Sequence, residues 1–82
     1  MRAGFSIFTL RKSLGYSGEV VAEFVVDKRL LLQPVRIDIS VPDKPGGGVI
    51  RTTNFYSLEE GRAKWKALVE QGYRHTASVV NS

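Results

Sequence analysis

The stretch FYSLEEGRAKWKALVEQGY, residues 55–73, decides the fold, because it reads as a helix in a chain otherwise patterned as strand and turn. Ser57 followed three residues later by Glu60 makes a capping box, in which the serine oxygen accepts a first-turn N–H and the glutamate reaches back to the cap. Glu59 and Glu60 lie where the helix macrodipole is positive. Gly72 stands where a helix ends on a left-handed residue, and Tyr73 beyond it is placed to pack on Leu68. Between these ends Leu58, Gly61, Trp65, Leu68 and Val69 recur at spacings of three and four and share one face, while Arg62, Lys64, Lys66 and Glu70 occupy the rest. Burying the four side chains of that stripe is expected to contribute about 8 kcal/mol before entropy. A glycine inside a helix costs about 1 kcal/mol relative to alanine. Its place on the apolar stripe therefore predicts that the helix backbone at Gly61 lies close against a sheet.

Upstream of the helix the pattern has period two. VRIDISV, residues 35–41, alternates strictly, with Val35, Ile37, Ile39 and Val41 on one side and Arg36, Asp38 and Ser40 on the other. EVVAEFVV, Glu19 to Val26, is rich in β-branched residues and offers apolar side chains to both faces. Phe5 to Lys12 precedes it across the Gly-containing turn SLGYSG, and VIRTTNFY, residues 49–56, follows the Pro- and Gly-rich loop PDKPGGG. Asp27 and Lys28 read as a turn, after which RLLLQ runs to Pro34, a residue that belongs at an edge or a strand start. Connections this short imply antiparallel neighbours. The expected architecture is α+β: a four-stranded antiparallel β-meander with one C-terminal helix packed on one face, ββββα. One compact domain is expected over residues 1–76, with 77–82 as a flexible tail; a short edge strand at Val79 and Val80 is the other reading of that segment.

Composition bounds the rest. With 82 residues there is room for one core. No cysteine is present, so neither disulfides nor thiolate metal sites can staple the domain, and packing or self-association must hold it. The N-terminal segment lacks a signal-peptide pattern, and no apolar run approaches the roughly 18 residues of a membrane span, so a cytoplasmic protein with no membrane association is expected. The net charge of +4 favours polyanionic partners weakly, since a small protein also carries such a charge for solubility.

The inventory of reactive groups is thin. His75 is the sole histidine and has no metal-ligand spacing around it. Glu19 and Glu23 point to the same side of one strand, where carboxylates ordinarily keep a sheet soluble. The glycines of DKPGGG lead into a strand and not a helix, so they do not form a phosphate loop. No enzymatic activity, cofactor or metal is expected. A single helix covers one face of a sheet, and the other face must meet a partner or a second copy of the chain. The expected function is a small non-enzymatic protein-interaction module, a regulator or accessory subunit working through its exposed sheet face or edge, with a homodimer as the simplest assembly. The alternative is a small basic nucleic-acid-binding protein using cations and aromatics on the sheet. The residues expected to meet either partner are Arg36, Arg51, Lys28, Arg29, Lys44 and Tyr56.

Overall fold

The computed structural model describes residues 5–43 and 47–81. Along the chain lie strand β1 (Phe5–Ser13), a 3₁₀ turn (Gly15–Ser17), β2 (Glu19–Asp27), β3 (Val35–Pro42), β4 (Val49–Tyr56), helix α1 (Leu58–Glu70) and β5 (Arg74–Asn81). The strands form one antiparallel sheet in the order β4-β3-β2-β1-β5. The class is α+β, as the periodicity implies, but the sheet has five strands and not four.

The fifth strand is the main correction to the sequence reading. Residues 74–81, most of which were expected to form a tail, pair with β1 from Arg11↔Arg74 to Phe5↔Asn81. The physical reason lies at both ends of the helix-to-strand connection. Without β5, β1 would be an edge, leaving the backbone beside the fully buried Leu10 unpaired. After the helix, Gly72 takes φ +98° and the chain closes a Schellman turn: the Tyr73 N–H donates to Leu68 O and the Gly72 N–H to Val69 O, both at 3.1 Å. That turn reverses the chain and sends it along β1. The strand was hard to read because its register shifts between Thr9 and Leu10, where Thr76 is the extra residue of a bulge, so its side chains do not alternate cleanly.

The helix begins as its capping box requires, with Ser57 Oγ accepting from the Glu60 N–H at 3.2 Å and Glu60 Oε1 accepting from the Ser57 N–H at 3.1 Å. Its inner face lies on the alternate residues of the sheet. Leu10, Ala22, Phe24, Val35 and Ile37 form the buried centre, and Trp65, Leu68 and Tyr73 pack against it. Trp65 makes edge-on contacts with Phe8 and Phe24, at centroid separations of 6.1 and 5.1 Å. Gly61 is buried and touches the sheet closely enough that a Cβ there would stand 2.9 Å from both Val35 methyls. The apolar stripe is narrower than its spacing suggests, since Leu58 and Val69 remain about half exposed. Burial of the stripe therefore contributes less than the roughly 8 kcal/mol that four buried side chains would supply. Among the described residues, no helix is long and apolar enough to cross a membrane.

Candidate interaction surfaces

Register and alternation settle which side chains share each face. On the face away from α1, three rows cross the sheet. The first runs Val79, Ile7, Val25, Arg36, Phe55. The second runs Ala77, Thr9, Glu23, Asp38, Thr53, and the third Arg74, Arg11, Val21, Ser40, Arg51. One row is mainly apolar, the next acidic and polar, the third basic at both ends. No described element lies over them. Phe55 and Val79 are about half exposed, and Val49 more than half.

The charges on this face nearly balance. Arg11, Arg36, Arg51 and Arg74 stand among Glu19, Glu23 and Asp38, while the charge of Asp27 is taken up by Arg29 of the loop. Two of the arginines are held within the face: the Arg11 guanidinium bonds Glu19 at 2.5 Å and Arg36 Nε donates to Asp38 at 3.1 Å. Asp38 accepts in addition from Thr53 Oγ1 at 2.6 Å. Glu23 stands directly across from Asp38, a like-charge neighbour on the adjacent strand. Of the two carboxylates noted on β2, then, Glu19 is engaged by Arg11, while Glu23 has no ion-pair partner among the described residues. On the helix side, Lys12, Lys28, Arg62, Lys64 and Lys66 outnumber the helix carboxylates Glu59, Glu60 and Glu70.

Of the six residues expected to meet a partner, the five that are described are not brought together. Arg36 and Arg51 share the open face. Tyr56 is on the opposite one: it pairs with Val35, whose side chain is buried under Gly61, and Lys64 Nζ lies 5.6 Å above its ring. Lys28 and Arg29 belong to the β2–β3 loop. Arg29 is occupied in holding that loop, donating from Nε to Asp27 Oδ1 and from Nη2 to Asp27 Oδ2, each at 2.9 Å, while its backbone N–H donates to Oδ1 at 3.0 Å. These bonds, the side-chain ones first, hold the Asp27 carboxyl below the ordinary carboxylate range. Lys44 lies outside the described residues. Among the described residues no phosphate-tracking stripe of cations and aromatics is assembled on the sheet.

A second surface escaped the sequence reading. RLLLQ is not a strand: the Asp27 N–H donates to Pro34 O at 2.8 Å, which closes a loop, and β3 starts only at Val35. The loop leaves Leu31 and Leu32 almost fully exposed, at 91% and 86%. Between this loop, the first half of α1 and the sheet opens a cleft of about 700 Å³, floored by Phe8, Phe24, Val26 and Val35 and walled by Leu30, Leu31, Leu58 and Trp65. The signal available in the sequence was three consecutive leucines before a proline, too many apolar residues for a solvent-facing turn.

His75 is neither a tail residue nor a ligand in a cluster. It lies on β5 facing the helix, its ring 5.4 Å from that of Trp65, with Nε2–H donating to Ala77 O at 3.0 Å. Among the described residues no group of three His, Cys, Asp or Glu side chains is placed to hold a metal ion.

Comparison with known proteins returns no match, whether with family models, curated proteins or solved structures.

Proposed function

We propose that this protein is a non-enzymatic interaction module whose open sheet face docks on a protein surface, a second copy of the chain being the first partner. The observation that supports this is the composition of that face: an apolar row through Ile7, Val25 and Phe55, flanked by arginines and carboxylates in nearly equal number. A polyanion needs unbalanced positive charge to displace its counterions. A protein surface needs apolar contact, a polar rim and charges of both signs that set orientation. In a symmetric dimer the apolar rows of the two copies can meet across the two-fold axis. Burying such a face also compensates for the small core of a domain of this size.

Sedimentation over a range of concentrations tests the reading. The wild-type chain is expected to sediment as a reversible dimer, and Phe55→Glu or Ile7→Glu to weaken association by about tenfold or more, in line with loss of a central interface contact, with the circular dichroism spectrum unchanged. Association that is unaffected by either substitution, or a strictly monomeric chain, refutes the dimer. Fluorescence anisotropy with a labelled random oligonucleotide at two salt concentrations is the companion measurement. Binding that collapses steeply with salt would transfer the assignment to nucleic acid.

A further inference from the structure

On the side of the sheet away from the proposed docking face, we infer that the cleft between α1 and the β2–β3 loop binds a small organic anion with an apolar body, of the class of a free medium-chain acyl carboxylate. Its volume of about 700 Å³ lies within the roughly 300–1,000 Å³ of small-molecule sites. It is an open groove with three sides: the sheet supplies Phe8, Phe24 and Val26, the helix Leu58 and Trp65, the loop Leu30 and Leu31. Leu31 is 91% exposed and Leu30 and Leu58 about half exposed, an arrangement that leaves apolar surface in water until something fills the cleft.

The charges around the cleft select the sign of the ligand. Two cations line it, Lys28 from the loop and Arg62 from the helix, and no carboxylate does. Among the described residues neither cation has an ion-pair partner. The nearby carboxylate of Asp27 is already committed to Arg29 through two side-chain bonds. An apolar body in the cleft with an anionic group between Lys28 and Arg62 satisfies both features at once. A cationic amphiphile meets like charge, and a neutral one leaves the pair unused.

Trp65, the single tryptophan of the chain, lines the cleft and reports on it. The full-length chain is titrated with sodium dodecanoate below its micelle concentration, with dodecan-1-ol and with dodecyltrimethylammonium, following Trp65 emission. Dodecanoate should produce a saturable change, and the alcohol should bind about fivefold more weakly or worse, the size expected for partly exposed ion pairs. The Lys28→Ala, Arg62→Ala double variant should bind dodecanoate no better than wild type binds the alcohol. Leu31→Ser, at a position too exposed to matter for folding, should weaken both ligands. Equal affinity of wild type for dodecanoate and dodecanol, an undiminished response in the double variant, or no saturable change with dodecanoate overturns the inference. So does binding seen only with phosphatidylglycerol vesicles and not with monomeric dodecanoate. Because the dimer variants Phe55→Glu and Ile7→Glu lie on the opposite face, they should leave the titration unchanged, so the two assignments stand or fall separately.

Discussion

Replacing Gly61 by alanine should destabilise the protein even though alanine is the better helix former. The added Cβ would lie 2.9 Å from both Cγ atoms of Val35 and 3.1 Å from its Cβ. Rotation of Val35 cannot remove the clash. Its two methyls occupy two of the three staggered positions, so any other rotamer returns at least one methyl to the same space. Nor can Val35 retreat, because it is 3% exposed and belongs to the buried centre of the sheet. The helix must lift or the strand must shift, which costs about 2 kcal/mol, the middle of the range for overpacking. Gain in helix propensity offsets about 1 kcal/mol of this. A net loss of about 1 kcal/mol should lower the melting temperature by roughly 4–8 °C in a domain of this size. The bulkier Gly61→Leu should lose more. The decisive comparison is the double-mutant cycle with Val35→Ala. In that background the two methyl clashes are gone and only the 3.1 Å approach to the Cβ of residue 35 remains, so Gly61→Ala should cost less than in the wild type, by about 1 kcal/mol of coupling or more. Urea or thermal melts followed by circular dichroism measure all four proteins. If Gly61→Ala raises the melting temperature of the wild type, or costs as much in the Val35→Ala background as in the wild type, the close approach of helix and sheet is wrong.

Three further outcomes follow from named contacts. Glu23→Lys removes the like-charge opposition to Asp38 and should stabilise by about 0.5 kcal/mol; a fall in melting temperature would show that the two carboxylates do not repel. Gly72→Ala places a side chain at φ +98° and should cost about 1 kcal/mol by straining the turn into β5, whereas Gly72→Asn should lose less. The carboxyl of Asp27 is held below its ordinary range by the Arg29 side chain and backbone N–H, so the stability it adds is present above the unfolded carboxylate pKa and is lost as pH falls through the lower folded value. The gap in melting temperature between wild type and Asp27→Asn should therefore be widest near neutrality and shrink as pH drops below about 4. A gap that holds constant or widens in acid contradicts the loop staple.

The two candidate surfaces divide the molecule's chemistry. The open face carries nearly equal numbers of positive and negative side chains around an apolar row, and on the helix side, which holds the cleft, cations outnumber carboxylates. Net charge alone could not distinguish these cases, because it sums over faces that never meet the same partner. Tyr56 illustrates the loss: adjacent to Phe55 in the chain, it points through the sheet to the helix, and a one-residue step in a strand is a change of face.

Local patterns were sufficient for the elements whose stabilising contacts are local. The capping box, the Gly72 turn and the alternation of residues 35–41 are each set by residues a few positions apart, and each is found in the structure; the close approach at Gly61 was legible from the helical stripe, although its partner Val35 is distant in the chain. By itself the sequence determined an α+β domain with one helix and an antiparallel sheet. Only the tertiary structure decided that Arg74–Asn81 is a fifth strand, since its reason for forming is the unpaired backbone of β1, more than sixty residues away. The same holds for the cleft beside Leu31 and for the balance of charge across the open face. Each depends on which distant segments become neighbours, and that is settled by packing and backbone pairing between strands, which no local window of sequence contains.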